Sequence, residues 1–228
     1  MARKSAGRPK KDHKHNADTS TRILDAAEAL FAEHGFYGVT MRAVAVRAQV
    51  DTAMLHYYFQ HKKGLFDAVL VRRAEILNQE RLEAMNRYAS EHVESMTVEG
   101  IIEAYLRPLM DPERHEDPGW RNYFALIALV NNTASGGGEM MARYFDPVVT
   151  RLIELIHEAM PGVRKEDLYW SYHMLSGSLT LTLSVTGRLD ILSGGLCKSS
   201  DVASIGPRMV RYCAAGFREL CRPGLPAE

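Results

Sequence analysis

An all-α protein of about nine helices is what this sequence predicts, and three observations predict it. Apolar residues recur at three- and four-residue spacing along nearly the whole 228-residue chain. No stretch alternates apolar and polar residues as a half-buried strand would. Side chains suited to helix N-caps, and glycines or prolines suited to helix ends, bracket the periodic runs. The expected organisation is a basic, disordered arm over residues 1–18, a small three-helix unit over 19–65 and a larger helical body over 66–228.

Thr19-Ser20 offers the first N-cap, with Ile23, Ala27, Leu30 and Phe31 on one face and Gly35 as the stop. Thr40 caps a short second helix whose inward positions are Met41, Val44 and Ala45. Ala48-Gln49-Val50 separates it from a third helix capped by Asp51, with Leu55 and Phe59 turned inward. Two short helices so joined read as a helix-turn-helix. His61-Lys62-Lys63 opens a long fourth helix running through Phe66, Val69, Leu70, Ile76, Leu77 and Leu82 toward Tyr88. Ile101, Ile102, Tyr105, Leu106, Leu109 and Met110 stripe the next helix, which Asp111-Pro112 ends. Trp120 to Val130 is apolar almost all round, the mark of a helix buried on every side. Met140 to Met160 is helical with Pro147 inside, where the helix either kinks or restarts at an Asp146 cap. Leu168, Tyr172, Leu175, Leu179 and Leu183 stripe a further helix, and the last runs from about Pro207 to Leu220.

Composition excludes several classes. The chain is 46% apolar and 25% charged, the balance of an ordinary globular protein. No apolar run approaches the roughly 18–20 residues of a membrane span, and no signal-peptide pattern follows the basic start, so a cytoplasmic, nucleoid-associated location is expected. Cys197, Cys213 and Cys221 lack CxxC or Cys/His spacing, which argues against a disulfide framework or a metal site. HExxH, GxSxG and phosphate-loop patterns are missing, so neither an enzyme nor a cofactor is expected. The net charge is zero, with 28 Lys+Arg and 28 Asp+Glu, yet it is unevenly spread. Through Leu65 there are eleven basic residues against six acidic ones, and beyond it seventeen against twenty-two. Arg3, Lys4, Arg8, Lys10, Lys11 and Lys14 concentrate the excess at the front. Such an arm serves nucleic-acid contact, acidic-lipid contact or solubility. Gly7-Arg8-Pro9-Lys10-Lys11 resembles an AT-hook core, suited to a narrow A·T-rich minor groove.

The stretch from Thr40 to Leu65, TMRAVAVRAQVDTAMLHYYFQHKKGL, with Ala-Leu-Phe-x-x-x-Gly-Phe from Ala29 to Phe36, resembles the DNA-binding signature of the TetR family of bacterial transcriptional regulators. The likeness runs from Ile23 to about Val69 and implies a homodimer on double-stranded DNA, helices 1–3 binding a palindromic operator and the body binding a ligand. The residues' own chemistry points to the same candidates. Thr40 places the second helix's N-terminal amides beside a phosphate. Arg42 reaches a guanine edge or the backbone, and Thr52, Ala53 and His56 face the major groove. Tyr57 and Lys62 bind phosphates. Two departures stand out: Gln49 occupies a tight turn where the family has Gly, and His56 a position where it often has Tyr.

The body bears a weaker likeness. Tyr144 to Leu152, Asp167 to Gly177 and Arg188-Leu189 are similar to the subgroup that senses fatty acids or acyl-CoA. A pocket for a small apolar effector would draw on Tyr105, Met110, Trp120, Phe124, Ile127 and Met174, with Asn131, Arg121 or His173 fixing a polar head. A stripe of this spacing is more often plain core. In this family the last two long helices pair with those of a second copy. Leu168, Tyr172, Leu175, Leu179 and Leu183, with Met209 and Ala215, are the candidates, intrachain packing being the alternative. The resulting expectation is a repressor released from its operator by an apolar ligand, with a ligand-independent nucleoid-architectural protein as the rival.

Overall fold

The computed structural model describes residues 11–134 and 137–222. Among the described residues there are eleven α-helices and no strand. Two of these, α6 (Pro112–Glu116) and α10 (Arg188–Leu192), are five-residue pieces, which leaves nine longer helices. The chain divides after Val69 into two compact units.

The smaller unit holds α1 (Lys11–Gly38), α2 (Met41–Ala48), α3 (Thr52–Phe59) and the first turns of α4 (Lys62–Glu91). Helix α1 starts eight residues before the expected cap: Thr19 is buried within the helix, and residues 11–18, assigned above to the arm, belong to α1. Gly35 interrupts it with φ 66° and ψ 178°, a backbone that costs glycine least. Ile23, Ala27, Phe31, Val44, Ala45, Leu55, Leu65 and Phe66 are buried and form the core. The rings of Phe31 and Phe36 both meet Phe66 edge-on, at 4.8 and 5.1 Å. That geometry suits the ring quadrupoles and adds to the burial.

Two turns carry unusual backbone. Between α2 and α3, Gln49 is left-handed at φ 54° and ψ 49°, the conformation the family's glycine provides. The Arg22 guanidinium crosses from α1 and donates to the carbonyls of Ala48 and Gln49 at 2.7 and 3.0 Å, holding that turn. Between α3 and α4, Gln60 has φ 61° and ψ −59°, and the His61 amide donates back to the Phe59 carbonyl at 2.6 Å. This is a γ-turn of the rarer, strained hand. A Cβ at Gly64 would stand 2.5 Å from the same Phe59 oxygen, so the turn closes only over glycine.

The larger unit contains the rest of α4, then α5 (Val98–Leu106), a 3-10 turn (Arg107–Leu109), α6, α7 (Pro118–Asn131), α8 (Gly137–Ala159), α9 (Lys165–Leu183), α10 and α11 (Val202–Leu220). Helix α5 packs on α8 and α11, while α9 packs on α7, α8 and α11. Thr97, Asp117 and Asp201 each accept a backbone N–H at a helix start, the usual remedy for orphaned donors. Helix α8 continues through Pro147, which has no N–H for the Arg143 carbonyl four residues before it. The Tyr144 carbonyl accepts from Asn78 Nδ2 at 2.7 Å. Helix α11 begins at Val202, ahead of the expected start, and carries Pro207 inside. Nor is α7 buried all round: Arg121 and Leu129 are exposed. Cys213 and Cys221 are buried and Cys197 exposed, all as free thiols. No helix among the described residues is long and apolar enough to cross a membrane.

These turns make opposite predictions for two glycine exchanges. Gly64→Ala forces the Phe59 carbonyl to move and should cost roughly 1–3 kcal/mol, the scale of overpacking. Gln49→Gly removes a left-handed side chain and should gain up to about 1 kcal/mol. Urea denaturation of both variants checks the signs.

Candidate nucleic-acid interface

Helices α2 and α3 bring one set of residues to the surface of the smaller unit. Thr40 caps α2, its Oγ1 accepting the Ala43 amide at 3.1 Å, and Arg42 in the following turn is exposed. Asp51 caps α3 by accepting the Ala53 amide at 2.7 Å. Thr52 is half-buried, while Ala53 and His56 are exposed and Tyr57 is 75% exposed. Neither α2 nor α3 contains an acidic residue, and the carboxylate of Asp51 is engaged in its cap. What remains outward on the two helices is cationic (Arg42, Arg47), polar (His56, Tyr57) or apolar (Val46, Ala53), so neither helix turns a carboxylate of its own to a polyanion, and the face offers both hydrogen bonds and close approach. Val44, Ala45 and Leu55 point the other way into the core.

His56 is held in one orientation. Its Nδ1 lies 2.8 Å from the Gln60 carbonyl, which can only accept, so Nδ1 carries the proton. In the neutral ring Nε2 is then an acceptor, able to take a hydrogen bond from an exocyclic amino group such as those of cytosine or adenine. The strained turn at Gln60 is what places that carbonyl.

Lys62 also has partners within the protein. Its ammonium donates to the Val39 carbonyl at 2.9 Å and lies 4.5 Å from the Phe36 ring centre, which leaves two N–H donors for a phosphate. It ties the start of α4 to the loop between α1 and α2, and a cation over an aromatic face strengthens that tie. Arg3, Arg8 and Lys10 lie outside the described residues, as does the side chain of Lys11. Sequence reasoning missed two groups: Arg22, whose carbonyl partners lie 26 and 27 residues away, and Arg47, exposed on the last turn of α2.

In the larger unit the expected pocket residues separate. Tyr105, Met110, Phe124 and Ile127 are buried. Trp120 is half-buried, with the guanidinium groups of Arg73 and Arg114 at 4.8 and 4.5 Å from its ring. Asn131 is half-buried and donates to Ser176 Oγ at 3.1 Å. Arg121, His173 and Met174 do not join them. Arg121 is exposed and donates to the carbonyls of His115 and Glu116, while His173 and Met174 stand on the outer face of α9. The expected dimer residues also divide by burial. Leu168, Leu175, Leu179, Leu183 and Met209 are buried against their own chain, and Tyr172 is half-buried; Ala215 is exposed. Packing inside the chain leaves the leucines no surface for a partner.

Comparison with known proteins places this architecture. Residues 23–69 match the description "Bacterial regulatory proteins, tetR family", and residues 103–216 match "Tetracyclin repressor-like, C-terminal domain". The HTH-type transcriptional regulator UidR of Escherichia coli strain K12 is 33% identical over 86 residues, 37% of this chain and 41% of that one, so the match spans less than half of the relative. Among solved structures, a transcriptional regulator from Pseudomonas aeruginosa PAO1 shares the fold with TM-score 0.61 at 13% identity, covering 94% of this chain and 97% of that one. The transcriptional regulator FadR from Bacillus subtilis, in complex with stearoyl-CoA, superposes with TM-score 0.54 at 14% identity over 86% and 98% of the two chains. With one description covering the helix-turn-helix and the other half of the chain, this protein belongs to the tetR family of bacterial regulatory proteins.

Proposed function

We propose that the protein is a transcriptional repressor that binds double-stranded DNA as a dimer and leaves it when a small apolar effector occupies the larger unit. The observation that carries this reading is the acid-free outward face of α2 and α3, with Arg42, Ala53, His56 and Tyr57 exposed on helices whose ends are capped. Tyr57 meets a phosphate and sets register, while Arg42 and His56 read base edges. Selection from random oligonucleotides should return an inverted repeat with half-site centres about 34–36 Å apart or a multiple of that. His56→Ala should relax preference at one A- or C-bearing position at a cost of roughly 1–3 kcal/mol, whereas Tyr57→Phe should weaken all sequences alike. A single unrepeated motif, or a specificity ratio over random DNA well below about 10³, would favour an architectural protein instead.

The dimer is assigned to the outer faces of α9 and α11. Trp170, Met174, Gly177 and Leu181 lie at helical spacing along α9 and are exposed, Leu181 to 67%, with Tyr212, Ala215 and Gly216 exposed on α11. An apolar strip of this kind, with glycines permitting close crossing, fits a four-helix contact with a second copy. Leu181→Glu should yield a folded monomer in sedimentation and lose affinity for the inverted repeat; an unchanged dimer would place the contact elsewhere.

For the effector, support comes from the buried Tyr105, Met110, Phe124 and Ile127 and from the stearoyl-CoA held by the similarly folded FadR. The division between units falls within the single helix α4, so a ligand acting on its far end has a covalent route to the smaller unit. Release by 100-fold requires about 2.7 kcal/mol of differential affinity between bound and released states. In a titration of fatty acids and their CoA esters against the operator complex, at least one of the two classes should release DNA, and Phe124→Ala should blunt the response. Failure of every such compound to bind would reduce the segment to core.

A further inference from the structure

The interior of the larger unit contains a cation that no carboxylate pairs with among the described residues. Arg81 on α4 is 3% exposed. Its Nε donates to the Tyr105 carbonyl at 3.3 Å, and its guanidinium carbon sits 3.8 Å from the Tyr105 ring centre. Its Nη2 is buried and makes no hydrogen bond, and among the described residues no carboxylate forms an ion pair with it. A guanidinium cannot shed its proton to escape such a site, as a buried lysine can. Uncompensated burial of this charge is therefore a standing cost.

The neighbouring groups are also polar and incompletely used. Asn78, on the same helix, donates to the Tyr144 carbonyl, but its Oδ1 is buried without a partner. Tyr172 of α9 is close enough to Arg81 and Tyr105 to feel both electrostatically, and burial raises its ionisation well above the ordinary phenol value. It thus stays protonated and able to donate. The Ser176 hydroxyl partners Tyr172 and accepts from Asn131 of α7. Asp146 of α8 also acts on Tyr172, but it is exposed and does not pair with Arg81.

We propose that Arg81 and Tyr172 hold the carboxylate head of the effector, the guanidinium donating through Nη2 and the phenol through its hydroxyl. This rests on the effector reading above and names the chemistry of its polar end. A carboxylate matches one guanidinium in charge and in planar geometry. A doubly charged phosphate would leave one charge buried and unmatched, and so would bind more weakly.

The test uses the full chain with decanoate, methyl decanoate, decanol, decyl phosphate and the short probe benzoate, read by calorimetry and by thermal melting. Wild type should bind decanoate about tenfold or more tightly than its ester, the alcohol or the phosphate, the worth of one charge-assisted hydrogen bond. Arg81→Met should lose that preference while keeping its affinity for the ester. It should also raise the Tm of the ligand-free protein, because a packed apolar side chain replaces an unpaired buried charge. Tyr172→Phe should reduce the preference without abolishing it. Arg81→Lys, which keeps the charge and loses the fork, should lose most of the preference and covers the case in which Arg81→Met does not fold. Equal binding of acid and ester by wild type overturns the carboxylate site alone. So does an Arg81→Met protein that is less stable than wild type and still prefers the acid. If no decyl compound binds, while benzoate stabilises wild type but not Arg81→Met, the carboxylate site stands and the apolar-chain reading falls.

Discussion

The carbonyl oxygen of Phe59 has very little room, and much of the smaller unit follows from where it goes. It accepts the His61 amide across a strained turn and is tolerated only because Gly64 lacks a side chain. That closure holds Gln60 at positive φ, and the Gln60 carbonyl then fixes the proton on His56 Nδ1. It also starts α4, where His61 Nδ1 accepts the Gly64 amide and Lys62 reaches back to Val39 across Phe36. A conformation of this sort costs on the order of 1–3 kcal/mol and persists only where surrounding structure over-determines it. The buried cluster of Phe31, Leu55, Leu65 and Phe66 supplies that determination.

Local signals explain what the sequence made legible. Thr40 and Asp51 cap α2 and α3 where their side chains foretold, because a cap is a contact two or three residues long. Gln49 takes a left-handed backbone at the place in the turn where the family has Gly. Arg22 was invisible for the converse reason: its partners are carbonyls of another helix, and carbonyls leave no trace in residue identity. Gln60 likewise carries no mark of positive φ, unlike the glycine at position 35. Where two local signals compete, the reading can choose wrongly. Pro207 resembles a first-turn residue, yet Asp201 caps α11 by accepting the Ser204 amide, and the proline sits inside.

Helix α9 shows a different limit. Leu168, Leu175, Leu179 and Leu183 form one apolar row and Trp170, Met174 and Leu181 another, on a helix with apolar residues on both sides. Periodicity says which residues share a face, but burial of a leucine is worth roughly 1.5–3 kcal/mol whichever chain covers it. The first row is covered by this chain and the second is not. Only the tertiary arrangement separates core from surface, so periodicity alone could not say which of the two rows this chain covers.

Arg81 did leave a mark in the sequence. Leu70, Ala74, Leu77, Arg81 and Met85 follow one another at helical spacing, and all five are buried. An arginine in that row breaks the pattern its neighbours obey. Leucine or methionine would pack there with no desolvation cost, so the charge lowers the stability of the unit that contains it. Local inconsistencies of this kind are expected at sites shaped by something other than stability, where a ligand offsets the cost when it binds. Linkage then gives the charge a second consequence. A ligand that neutralises Arg81 stabilises the arrangement in which it does so, and the cost of the unpaired charge in the empty protein becomes part of the free-energy difference available to move the chain between two states.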